Sequence, residues 1–247
     1  MSENLFCNYH LWQNIFFALL SIIITSSMLG CKGQFPKNIK DYYYPINDLS
    51  DGLVYQYTTT NSDQQSVSNY WYFKSNIIND TIHFTGQYYD AKKTVGQFFR
   101  QSITDQGAIY KDYNFYVYND SSDQASVIQL QIHYASAFPF QVKDTTSIYL
   151  YKLSFIAPAD SSLNTITRNR RFVGEEEWEH NGKVYPAIRI KLLERIENDR
   201  QGVLTIDFKG YEIYAKGIGL VYTFRSSENG TRIEDRLIDR VLMSDFQ

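Results

Sequence analysis

The sequence predicts an all-β protein built on one strongly curved antiparallel sheet, half-barrel or barrel-like, with about a dozen strands and few or no helices. Three observations carry this expectation. Aromatic residues make up 16% of the chain, with 21 Tyr and 16 Phe, and such side chains favour a pleated, half-buried surface. From Ser126 to Tyr134 the chain alternates. Val127, Gln129, Gln131 and His133 point one way and Ile128, Leu130, Ile132 and Tyr134 the other, the period of a sheet with one buried face. Two Asn-Gly pairs, Asn181-Gly182 and Asn229-Gly230, mark hairpins, because a type I′ turn needs positive φ at both central residues.

The first thirty residues read as an address. Ile15 to Leu29 carries no charge, yet fifteen helical residues rise only ~22 Å, short of a ~30 Å hydrocarbon core. A signal peptide over 1–30 is the reading. It ends at Met28-Leu29-Gly30-Cys31, which resembles the lipobox of bacterial lipoproteins. That resemblance implies cleavage before Cys31, acylation of its thiol and attachment to a membrane through that residue. Cys7 lies in the leader, so a mature chain keeps no other thiol. Multiple acyl chains at ~0.8 kcal/mol per buried CH₂ hold firmly where one binds marginally.

Residues 31–50, with two prolines, mixed charge and no periodicity, read as a tether between lipid and domain. No acidic run follows Cys31. Some bacterial lipoproteins use such a run for surface export, so the expected address is the outer membrane, facing the periplasm.

Residues 51–247 read as a single all-β domain. Short aromatic and β-branched runs follow one another: Leu53–Tyr57, Tyr70–Phe73, Thr81–Phe84, Val95–Ile103, Ala108–Tyr110, Phe115–Tyr118, Ser126–Tyr134 and Ser147–Ile156. Val184–Glu194, Gly202–Phe208 and Tyr211–Arg225 form a meander between the two Asn-Gly signals. Thr231–Met243 fits either a helix face or a strand, and its position after Asn-Gly favours the strand.

The segment EWEHNGKVYPAIRIKLLE and the later GYEIYAKGIGLVYTF, with Tyr214-Ala215-Lys216-Gly217-Ile218-Gly219-Leu220-Val221 at its end, resemble the closing part of Gram-negative envelope lipoproteins with a half-open antiparallel sheet. The lipoprotein carriers LolA and LolB share that general architecture. The resemblance implies a fold rather than an activity.

Composition excludes several partners. Net charge is −3, and residues 31–247 hold 24 bases against 26 acids, which leaves no electrostatic footprint for nucleic acid and no polybasic membrane patch. Gly217-Ile218-Gly219 lacks the third glycine and the helix of a phosphate loop, and reads as glycines easing a bend inside a strand. Glu175-Glu176-Glu177-Trp178-Glu179-His180 has no second histidine at ligand spacing. With Arg168, Arg170 and Arg171 just upstream, it reads as solvated strands of opposite sign facing each other. His83 and His133 fall on expected strands, where an ordinary hydrogen bond is the default. No G-x-S-x-G elbow is present. Tyr42, Tyr43 and Tyr44, or Tyr88 and Tyr89, suit stacking on sugars or a sticky interface, against the simpler reading of core filling.

No catalytic residue, cofactor or metal ligand is therefore expected. The leading expectation is a non-enzymatic envelope lipoprotein whose concave sheet binds an apolar ligand or acts as a scaffold. An interaction subunit with an envelope protein partner stands second, and a hydrolase third.

Overall fold

Period-two alternation becomes strand throughout the domain. The computed structural model describes residues 35–118 and 125–246; the predicted leader and Cys31 lie outside the described residues. Fifteen strands follow in chain order among the described residues. They are β1 (Lys37–Asn38), β2 (Leu53–Asn61), β3 (Ser66–Ile78), β4 (Thr81–Tyr89), β5 (Val95–Thr104), β6 (Gly107–Tyr118), β7 (Ala125–Gln129), β8 (Gln131–Pro139), β9 (Gln141–Val142), β10 (Tyr149–Ile156), β11 (Leu163–His180), β12 (Lys183–Asp199), β13 (Val203–Ala215), β14 (Gly219–Ser227) and β15 (Arg232–Leu242). Three single 3₁₀ turns complete the set. The protein is all-β, and the run 231–243 carries the strand Arg232–Leu242.

Neighbouring strands run β5-β4-β3-β2-β15-β14-β13-β12-β11-β10-β8-β6, and β6 then pairs back onto β5. Twelve antiparallel strands therefore close into a barrel, going further than the half-open sheet that the resemblance implied. Closure satisfies the edges that an open sheet leaves bare. The seam between chain ends is the β2–β15 ladder, from Leu53↔Leu242 to Asn61↔Ile233. β6 serves two neighbours on one side: its first residues pair with β8 and its last five with β7. The expected single run Ser126–Tyr134 is thus two strands, broken at Leu130. There the chain steps across β6, with the Leu130 N–H donating to Tyr113 O at 2.8 Å. Leu130 packs with Tyr151 and Leu153 in a small satellite core.

The hairpins follow their turn chemistry. Asn181 and Gly182 both take positive φ, 51° and 72°, as a two-residue type I′ turn requires. At the second pair only Gly230 does, at 90°. Its loop closes with Ser227 N–H donating to Thr231 O, the pattern of a type I turn followed by a left-handed glycine. Tyr211–Arg225, expected to be one run, is β13 and β14 joined by a tight turn at Lys216–Ile218. Gly217 and Gly219 both have positive φ there, so they turn the chain rather than ease a bend. A Cβ on Gly219 would stand 2.6 Å from the Tyr44 ring.

Residues 36–50, expected to be a tether, are part of the barrel core. Ile39, Tyr43 and Leu49 are buried. β1 pairs with β9, and the chain then crosses one end of the barrel. Ile39 N–H donates to Phe140 O, Gly217 N–H to Asp41 O, and Ser75 Oγ to Ile46 O. The lack of periodicity concealed this role, because a strap touches the core through isolated side chains rather than a continuous face. Tyr43 and Tyr44 form the plug. Tyr44 lies 4.5 Å from Phe73 and 5.1 Å from Phe84 between ring centroids. Tyr43 lies 5.1 Å from Phe138 and 5.7 Å from Phe140. Each such pair adds about 0.5–1.5 kcal/mol beyond area burial.

Candidate functional site

Above the plug the barrel is not filled. A cavity of about 460 Å³ lies inside it, and its two walls differ in chemistry because the inward registers of the two halves differ. On β3 to β6 most inward positions are aromatic: Trp71, Phe73, Tyr88, Phe99, Tyr110 and Tyr113 line the cavity, with the amides Asn69, Gln97 and Gln101 between them. Phe99 sits 5.6 Å from both Trp71 and Tyr110, so the rings form one continuous wall.

On β11 to β15 the inward row carries charge. β12 buries Ile188, Ile190, Leu192 and then Glu194 at alternate positions. Glu194 faces Arg168 across the β11–β12 ladder, and Arg168 donates to Glu194 Oε2 through both Nε and Nη2. Arg225 of β14 donates to Glu194 Oε1 at 2.9 Å and lies 3.8 Å from Asp235. Arg168 also reaches Glu212 at 3.4 Å, and Arg170 lies 3.6 Å from the same carboxylate. Arg170 donates to the carbonyls of Ser136 and Ala137, and Tyr214 OH donates to Glu212 Oε2 at 3.1 Å. Both Arg168 and Arg170 stand over the Tyr151 ring, 5.4 Å from its centre. Three guanidinium groups and three carboxylates therefore share one network beside the cavity. Two buried donors, Arg170 Nε and Arg225 Nε, have no acceptor.

Burial works against ionisation of Glu194, but Arg168 and Arg225 more than offset it and hold its carboxyl below the ordinary Glu range. Burial also works against the charge on Arg168, and Glu194 reverses that, leaving the guanidinium firmly protonated. A carboxylate held ionised between two guanidinium groups is a poor proton donor. The network holds these polar groups in place beside the cavity. A second polar chain lies nearby: Asn69 donates to Thr59, and Thr59 donates to Asp235 at 2.6 Å.

Of the residues singled out in the sequence, Tyr43, Tyr44, Tyr88, Arg168 and Arg170 line the cavity, and the others lie elsewhere. Tyr43 and Tyr44 form the cavity floor and Tyr88 stands in its aromatic wall, whereas Tyr89 packs on Phe246. Glu175 pairs with Lys37 at 2.5 Å and Glu176 with Arg189 at 2.8 Å. Arg168, Arg170 and Arg171 do not face the acids from another strand, since all belong to β11. His133 shares a 2.7 Å hydrogen bond with Ser154. His180 ends β11, where burial and then Arg240 lower its pKa. Among the described residues no three His, Cys, Asp or Glu side chains are grouped to hold a metal.

The sequence reading missed Arg168, Arg170, Glu194, Glu212 and Arg225 as site residues. The signal was available: projected along β12, the buried row Ile188, Ile190, Leu192 runs directly into Glu194.

No protein-family model matches the chain, and no curated protein matches it. Solved structures do. One is a candidate lipoprotein from Parabacteroides distasonis, with a TM-score of 0.53 at 12% identity, over 84% of this chain and 100% of that one. Another is a candidate exported protein with a YmcC-like fold from Bacteroides fragilis, with a TM-score of 0.51 at 13% identity, over 77% of this chain and 95% of that one. At such identities the likeness carries architecture alone. The chain shares its fold with these two proteins, the second of which is described as YmcC-like.

Proposed function

We propose that the protein is an exported, non-catalytic lipoprotein of the cell envelope, anchored through Cys31 at the outer membrane and facing the periplasm, that holds a small ligand inside its barrel. The observation that carries the binding role is the cavity: the strap closes one end of the barrel, yet about 460 Å³ above it stays open, a volume typical of small-molecule sites. The ion network supports the same reading. Replacing buried ion pairs by apolar groups is often neutral or stabilising, so a charged network beside an open cavity points to a role other than stability. The address rests on the lipobox-like Met28–Cys31 and on what the two structural neighbours are named for. The half-charged wall shifts the ligand from purely apolar, as first expected, to one with both an apolar and a polar face.

Two measurements test this reading. Labelling cells with an alkyne fatty acid should mark the wild type and leave Cys31→Ala unlabelled and released from the membrane fraction. Native mass spectrometry of gently purified protein should show a retained small molecule that Trp71→Ala loses. Label persisting in Cys31→Ala would remove the anchor from this account, and a bare mass for all preparations would remove the ligand. A second reading, an interaction subunit, is favoured by β7, whose outer edge pairs with no strand among the described residues and carries the exposed Val127. Crosslinking from residue 127 should return a single partner if that edge docks another chain.

A further inference from the structure

We infer that the ligand of the barrel cavity is a neutral saccharide, a mono- or disaccharide unit lying flat on the aromatic wall with its hydroxyl edge toward the charged one. The inference rests on the binding role proposed above and specifies its chemistry.

Charge comes first. Arg168, Arg170 and Arg225 are balanced by Glu194, Glu212 and Asp235, and each guanidinium already meets a carboxylate. A bound anion would compete with Glu194 or Glu212 for its cation, and a bound cation would compete with the arginines. Either would break a buried pair, which is strongly unfavourable. A ligand compatible with an intact network carries no net charge.

Shape and polarity come second. Trp71, Tyr88 and Tyr113 are only half-buried, so part of each ring is open beside the cavity it lines. An acyl chain would pack on these rings but would desolvate Gln97 and Gln101 beside them and the polar wall opposite with no hydrogen bonds in return, a cost of about 1–3 kcal/mol for each polar group left unpaired. A sugar ring meets both requirements. Its C–H face packs against an aromatic ring, and its hydroxyls both donate and accept. The Asn69–Thr59–Asp235 chain is held in a fixed orientation, ready to bond hydroxyls without further ordering.

The test uses Trp178→Phe in the cleaved chain, where Trp71 is then the single tryptophan. Its fluorescence is titrated with neutral saccharides (glucose, galactose, mannose, N-acetylglucosamine and their β-linked dimers), with glucuronate and with palmitate. Saturation-transfer NMR on the wild type is recorded in parallel. The expected result is saturable binding of at least one neutral saccharide, changed less than about twofold between low and high salt because no net charge is involved. Tyr113→Ala should weaken it about tenfold, the loss of one stacking ring. Thr59→Val, which keeps the shape and removes only a hydroxyl, should weaken it as well, so the polar wall is tested even if Tyr113→Ala misfolds. Binding confined to palmitate or to glucuronate would overturn the saccharide assignment while leaving the barrel a binding site. No response to any of the compounds would overturn the assignment outright, and only a retained molecule in native mass spectrometry would then keep the binding role.

Discussion

Arg168 and Arg225 approach the Glu194 carboxylate from two sides, inside a barrel wall where the neighbouring inward positions are Leu192 and Phe208. Glu194→Gln keeps the shape and removes the charge, leaving the half-buried Arg168 and Arg225 with only their longer contacts to Glu212 and Asp235. The expected cost is about 3–5 kcal/mol, measured as a lower urea midpoint with unchanged slope. The same residue sets an acid limit. Its folded pKa is depressed below the ordinary 4.5, so its contribution is complete above that value and is lost as pH falls through the folded pKa. The gap in urea midpoint between wild type and Glu194→Gln should hold above about pH 4.5 and narrow below it. A gap that narrows on the alkaline side alone would contradict this account. Such residues escape a sequence reading for a physical reason. A charge in an alternating strand belongs to the solvent face by default, and only its register against a buried row, as in Ile188, Ile190, Leu192, Glu194, shows it turned inward.

At the scale of the element, the strap of residues 36–50 stands apart from the strands. Hairpins were legible because their turns are local: Asn181-Gly182 takes the conformation its side chains prefer, and the strands on either side inherit their pairing. The strap has no such local logic. Its conformation is set by distant partners, with Tyr43 OH donating to Gln101 and Tyr43 lying among Phe84, Phe138 and Phe140. Tyr43→Ala should cost about 3–5 kcal/mol by opening a cavity in this aromatic plug. Tyr43→Phe, which loses only the hydrogen bond, should cost about 1 kcal/mol. The pair of denaturation curves separates packing from polarity. Equal midpoints for Tyr43→Ala and wild type would show that the strap does not brace the barrel. The break at Leu130 and the turn at Lys216–Ile218 escaped the sequence reading because alternation continues across both. Only the pairing of β6 with two partners, and the contact of Gly219 with Tyr44, require a break there.

At the scale of the whole molecule, the sequence shows that sheets form but not that they close. Most ladders join strands adjacent in sequence, and those follow from the turns. The ladders that make the ring, β6 onto β8, β8 onto β10 and β2 onto β15, join strands that are not consecutive in the chain and depend on how far the sheet curls before its ends meet. The seam can be tested by removing it. A chain ending at Gly230 lacks β15, leaving bare edges on β2 and β14, and should be unfolded or aggregated by far-UV spectra and size exclusion. A soluble, folded product would show that the remaining strands close without it. The position of the seam also sets an order of assembly. Polypeptides leave ribosomes and translocation channels amino end first, so the tyrosine-rich strap and β2 emerge long before the strand that completes their ladder. Until Leu242 is free, the nascent sheet must keep one flank unzipped and its inner arginines and glutamates wet. Closure is thus bound to the arrival of β15, and a product stalled or clipped before it leaves that ladder unmade.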